Sequence, residues 1–173
     1  IVSSRAFGER VTELAAMHEA ISEYVHRACK KLRQERCQAK RISVFLRTSP
    51  FSDHQLDPYY SNSRSAELSF PSDDTRDFLH VASKLLDAIW KDGFRYAKAG
   101  VMLSDFCAHG VCQQDLFATS DTVRCNSALM GLMDQINEQM PNSLYFASKG
   151  TKQSWGMKRE LLSPAFTTSW NAL

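Results

Sequence analysis

Along the first hundred residues the apolar positions recur at two spacings, and the spacing switches at each boundary. Val2, Ser4 and Ala6 alternate with Ser3, Arg5 and Phe7 up to Gly8, which predicts a short strand. Leu14, His18, Ile21, Val25, Ala28 and Leu32 then recur every three or four residues, predicting one apolar stripe on a helix from about Ala15 to Arg36. From Arg41 to Thr48 the period drops to two: Ile42, Val44 and Leu46 alternate with Ser43, Phe45 and Arg47, as in a strand buried on one side. Ser49-Pro50 stops it, a polar loop follows, and Arg64 to Phe70 alternates again through Ala66, Leu68 and Phe70. Pro71-Ser72-Asp73-Asp74 carries helix-capping chemistry ahead of Phe78, Ala82, Leu85, Leu86, Ile89 and Trp90, the stripe of a second helix ending near Gly93. Phe94 to Phe106 reads as a longer strand, and Gly100 within it predicts a bulge or a close backbone approach.

This order, β-α-β-β-α-β, is that of a split β-α-β module of the α+β class: a four-stranded antiparallel or mixed sheet with two helices on one face. The pleat then sends Ile42, Val44, Ala66 and Leu68 toward the helices and leaves Ser43, Phe45, Arg47, Ser65, Glu67 and Ser69 on an uncovered polar face. Beyond residue 110 the pattern predicts a mainly helical extension. Val123 to Met140 is an amphipathic helix through Leu129, Leu132, Met133, Ile136 and Met140, stopped by Pro141-Asn142, and Leu144 to Ala147 reads as a short strand. The extension also holds Trp155 and Trp170, so it has the composition of a segment that packs on something and not of a solvated tail.

Composition changes this picture little: 43% hydrophobic residues with seven Gly and five Pro exclude collagen-like and wholly disordered chains. No apolar run approaches the roughly 20 residues of a membrane span, and the start, Ile1 with no Met, predicts a segment of a longer protein. Five cysteines without a C-x-x-C pair suit a reducing compartment better than a disulfide framework. Charge changes more. The net charge is only +2, yet Arg27, Lys30, Lys31, Arg33, Arg36, Lys40, Arg41 and Arg47 face Glu35 alone in one stretch, while acids predominate from Thr48 to Asp92. Such a basic run either neutralises phosphates or solvates a helix face; Arg41 and Arg47, on a strand, favour the first reading. Cys107, His109 and Cys112 lie close together with Cys125 beyond them, but they lack the paired knuckles of a structural zinc site, and ordinary thiols and no metal are expected. No Gly-rich phosphate loop, nucleophile elbow or H-E-x-x-H motif is present, and Asp73, Asp74 and Asp77 are accounted for by capping and the helix dipole. Gln113-Gln114-Asp115-Leu116-Phe117, after the last strand, has the makings of a short peptide that anchors in another protein's apolar pocket.

Four blocks then carry a resemblance. Ser4-Arg5-Ala6-Phe7-Gly8-Glu9-Arg10, Tyr96 to Phe106, Gln113 to Phe117, and Met157-Lys158-Arg159-Glu160-Leu161-Leu162-Ser163-Pro164 with Thr167-Thr168 resemble, in that order, the C-terminal part of the UmuC family. These are the catalytic subunits of bacterial polymerase V, within the Y-family of translesion DNA polymerases. The resemblance implies that residues 1–110 are the little finger that such polymerases lay across primer–template DNA. Residues 111–120 would be a linker carrying a sliding-clamp peptide anchored by Gln113, Leu116 and Phe117. Residues 121–173 would be a tail associated with the UmuD′ dimer and RecA. Ser3, Ser4, Arg5, Arg41, Arg47, Arg95 and Lys98 are the implied contacts to the DNA backbone. The resemblance further implies an SOS-response protein of the cytoplasm and nucleoid, binding but not catalysing. The Mg²⁺ ions would belong to a catalytic palm outside this chain, and no cofactor is expected within it. The competing reading is a free-standing split β-α-β module that binds nucleic acid or protein.

Overall fold

The computed structural model describes residues 1–51, 58–108, 127–151 and 155–156. Four strands, β1 (Val2–Val11), β2 (Cys37–Thr48), β3 (Ser61–Ser72) and β4 (Tyr96–Ala108), and two helices, α1 (Leu14–Gln34) and α2 (Thr75–Ile89), follow one another in the predicted β-α-β-β-α-β order. The sheet runs β1-β4-β2-β3 and every neighbouring pair is antiparallel. Because β1 and β2 both oppose β4, α1 joins two parallel strands with a third between them; α2 does the same for β3 and β4 around β2. This is the split arrangement that the sequence predicts, with an antiparallel and not a mixed sheet.

Ile42, Val44 and Leu46 of β2 and Ala99, Val101 and Leu103 of β4 lie on one face, and α1 and α2 close over them with Met17, Ala20, Ile21, Tyr24, Val25, Leu32, Phe78, Ala82, Leu86 and Ile89. Each large apolar side chain buried there contributes about 1.5–3 kcal/mol. The stripe of α1 is centred on Met17, Tyr24 and Leu32; His18 stands at its rim, its Nε2 2.8 Å from Asp87 Oδ1 of α2. Strand β1 runs past Gly8 to Val11, where Val11 pairs with Tyr96 after a register shift. The start of α2 is capped as expected: Asp74 accepts from the Arg76 N–H, and Ser72 donates to Asp77 at 2.6 Å.

One turn of 3₁₀ helix at Ala147–Lys149 lies against α1, and a third helix, α3 (Ser127–Gln139), is joined to α1 through Asp134 and Arg33. Two expectations are corrected here. Leu144 to Ala147 forms no strand; it leads into the 3₁₀ turn, where Phe146 packs edge-on against His26 of α1 with ring centroids 6.3 Å apart. The helix expected over Val123 to Met140 is present from Ser127 to Gln139, residues 123–126 lying outside the described residues, and its expected stripe is divided, with Met133 and Ile136 half-buried. Met130 is the buried residue of α3, whereas Leu129, Leu132 and Met140 are exposed. A polar clasp turns α3 this way. The guanidinium of Arg33, on α1, donates to both carboxylate oxygens of Asp134 (2.6 and 2.9 Å), to the Asp73 carbonyl and to Thr75 Oγ1. Burial works against the Arg33 charge, but the bonds and charge of Asp134 outweigh it and hold its pKa above the ordinary value. Farther along α1, the buried Glu23 carboxylate meets Arg27 at 2.5 Å and Lys149 at 2.9 Å. Trp155 closes the far end, edge-on to Tyr24 and Phe7 at 5.9 and 6.5 Å. Residues of the extension are thereby stitched to the helical side of the module, and the opposite sheet face is left open. Among the described residues no helix is long and apolar enough to cross a membrane.

Candidate nucleic-acid interface

Strand β2 is the spine of the open face, since it has a partner on each side and its outward residues alternate with the core residues. Arg41, Ser43, Phe45 and Arg47 point outward in turn, opposite Glu67, Ser65, Ser63 and Ser61 on β3 and Ser104, Met102, Gly100 and Lys98 on β4. Beyond β4, the edge strand adds Val2, Ser4 and Ala6, opposite Met102, Gly100 and Lys98. The face is therefore rich in hydroxyls, with a cation at each end of β2 and one apolar ring near its centre.

Gly100 makes the centre possible. A Cβ there would lie 2.3 Å from Ser4 Cβ, 2.7 Å from Phe45 Cζ and 2.9 Å from the Ser3 carbonyl, so the Phe45 ring rests on bare backbone. This is the close approach that the sequence suggests at Gly100; the register shifts of β4 lie elsewhere, near Tyr96. Beside the ring, Ser43 and Ser65 share a hydrogen bond of 2.7 Å, and a shallow depression opens among Phe45, Arg47, Ser61, Ser63, Lys98 and Met102. Arg41 is engaged in an ion pair with Glu67, directly across the strand pair. Among the described residues neither Arg47, opposite Lys98, nor Lys98 has an ion-pair partner, and like charges side by side favour an anion placed between them.

The residues that the sequence picks out for DNA contact do not all meet here. Ser4, Arg41, Arg47 and Lys98 share the open face. Ser3 and Arg5 pair with Val101 and Ala99, which belong to the core side, so they lie on the helix-covered side of the edge strand; Arg5 comes near enough to Tyr24 of α1 to affect its hydroxyl. Arg95 is exposed but precedes β4. The basic run is likewise divided, because Arg27 and Arg33 are engaged on α1 while Arg41 and Arg47 belong to the sheet. Sequence reasoning passed over Ser61, Ser63 and Ser104, which a strand pairing alone brings into the face, and Glu67 as the partner of Arg41. Gln113, Leu116 and Phe117 lie outside the described residues, as do His109, Cys112 and Cys125. Cys29 is wholly buried, which pushes its thiol up to about 12 and leaves it a protonated core residue. Among the described residues no cluster of ligating side chains could hold a metal ion.

Residues 1–116 match the family described as "impB/mucB/samB family C-terminal domain", and residues 127–173 match a "Domain of unknown function (DUF4113)". The chain is 48% identical to Protein SamB of Salmonella typhimurium over 98% of its length and 40% of that protein's. It is 46% identical to Protein UmuC of Salmonella typhimurium strain LT2 over 100% of its length and 41% of that protein's. With Protein MucB of Escherichia coli the identity is 41%, covering 100% of this chain and 40% of the relative. The chain thus spans about two fifths of the length of these relatives.

Proposed function

The chain belongs to the impB/mucB/samB family, and from that premise we propose that it is the C-terminal region of a translesion DNA polymerase whose open sheet face grips primer–template DNA by its backbone. The observation that carries this reading is the open face itself: Arg47 and Lys98 side by side, without an acidic partner among the described residues, in a field of serine hydroxyls. Hydroxyls and cations bond phosphate oxygens of any sequence, which suits a polymerase that has to accept damaged template. In the same reading Gln113, Leu116 and Phe117 dock on the sliding clamp, and the segment from residue 121 engages the UmuD′ dimer and RecA. The chain binds and does not catalyse; Mg²⁺ serves the catalytic domain of such polymerases, and none is assigned here.

Salt supplies the test. Each phosphate neutralised by a cation contributes about −0.9 to the slope of log affinity against log salt, so Arg47 and Lys98 together account for a loss of about tenfold between 50 and 200 mM salt. Fluorescence anisotropy with a labelled primer–template should show at least that loss, and the Arg47→Ala/Lys98→Ala variant should bind more weakly with a flatter slope, whatever the base sequence. Unchanged affinity in the variant would remove the open face from the interface.

A further inference from the structure

We propose that Glu67 restrains the grip of this face by holding Arg41 away from phosphate, so that two of its three cations, and not all three, are offered to the duplex. The proposal rests on the reading of the open face as the DNA-binding surface. Arg41 and Glu67 are register partners on β2 and β3, their side chains are joined in an ion pair, and both are about half exposed (47% and 50%), within reach of a ligand laid on the sheet. Arg41 stands six residues from Arg47 on the same strand, about 20 Å at 3.3 Å per residue. This exceeds the roughly 8 Å over which charges act at physiological salt, so Glu67 acts on Arg41 and leaves the Arg47–Lys98 end untouched. A phosphate approaching Arg41 has to displace a carboxylate already in place and also meets its negative charge. One end of the face is thus kept electrostatically quiet, and a translocating duplex is held more loosely than the count of basic residues suggests.

The test uses the whole chain, a labelled duplex, and the isosteric variants Glu67→Gln, Arg41→Gln and the two combined. Glu67→Gln should bind more tightly at 50 mM salt and lose about 3.5-fold more affinity than wild type between 50 and 200 mM, the cost of one added phosphate contact at a slope of about −0.9. Arg41→Gln leaves the Glu67 carboxylate unpaired and should bind somewhat more weakly than wild type, whereas the double variant should bind as wild type does and show none of the gain, because the gain is Arg41's. A double variant that gains as much as Glu67→Gln would mean that loss of any negative charge suffices, and would overturn the proposal. So would a double variant weakened as much as Arg47→Ala, since Arg41 would then be leaving Glu67 for phosphate in the native chain. If Glu67→Gln changes neither affinity nor slope while Arg47→Ala and Lys98→Ala still weaken binding, restraint by Glu67 is refuted and the DNA-binding reading stands. If none of these substitutions matters, the DNA-binding reading falls first.

Discussion

Replacing Asp134 by Ala isolates the clasp that holds α3 to the module. Arg33 and Asp134 have side chains only 8% and 16% exposed, and the pair shares two hydrogen bonds of 2.6 and 2.9 Å. Removing one partner of a buried pair typically costs about 3–5 kcal/mol, because the other charge stays buried without compensation. Arg33 keeps the Asp73 carbonyl and Thr75 Oγ1 as acceptors, which places Asp134→Ala at the lower end, about 3 kcal/mol. For a chain of this size that is a fall in melting temperature of about 6–12 °C. The cost appears either as a lower urea midpoint for the whole chain or as faster amide exchange confined to α3, depending on whether α3 unfolds with the module or leaves it alone. Replacing both partners by apolar residues, Arg33→Met with Asp134→Leu, should recover most of the loss, since no charge then remains buried. A destabilisation below about 1 kcal/mol, with unaltered exchange at α3, would refute the clasp as the tie between the two parts.

Two further substitutions probe the sheet and α1. Gly100→Ala forces a Cβ into Ser4 and Phe45, so it should cost about 1–3 kcal/mol as an overpacked site and weaken duplex binding by lifting the Phe45 ring; a variant with wild-type melting and binding would show that the face tolerates a side chain there. His26 is half-buried with its Nδ1 enclosed and unpartnered, and this burial lowers its pKa although Glu23 and Asp134 oppose the shift and Lys149 and Arg33 reinforce it. The unfolded chain therefore binds a proton near pH 6.5 that the folded chain refuses, so stability should decline as pH falls below about 6.5. Urea titrations from pH 7.5 to 5.5 should show that decline in the native chain and a flatter profile in His26→Phe; equal slopes would mean that another group carries the pH dependence.

How far the fold could be read from the residues depends on how many neighbours each element has. Strand β2 lies between two partners under a helical layer, so its two faces differ sharply, and the alternation of Ile42, Val44 and Leu46 with Ser43, Phe45 and Arg47 states its orientation without help. Strand β1 is an edge strand with polar and apolar residues on both sides, and only its register with β4 shows that Ser4 faces outward while Ser3 and Arg5 do not. The extension was least legible. Its amphipathic helix is real, but its orientation is set by Arg33, 101 residues earlier in the chain and indistinguishable in sequence from its solvated basic neighbours. Leu144 to Ala147 has strand-forming residues, yet Phe146 packs against His26 of α1 while Leu144 and Tyr145 stay exposed. The candidate face was half legible for the same reason: alternation finds its spine, while the serines of β3 and the pairing of Arg41 with Glu67 exist only once two strands are in register.

The width of the sheet decides what such a face can read. Four strands at about 4.8 Å spacing span about 14 Å between the outer strand axes, before side chains are added. The major groove of B-form DNA is about 12 Å wide, enough for a helix or a two-stranded ribbon. If the open face meets duplex DNA as proposed, it has to bridge the groove and rest on the backbones to either side. Its serines and its Arg47–Lys98 pair then meet phosphate oxygens and not base edges. The short outward side chains on β3 and β4, Ser61, Ser63, Ser65, Gly100 and Ser104, fit that pose, because none extends far enough from a bridging sheet to touch the groove floor. In the proposed pose, indifference to base sequence follows from the geometry of the sheet as well as from the chemistry of its side chains, and it should survive substitutions that keep the four-stranded sheet intact and these outward side chains short.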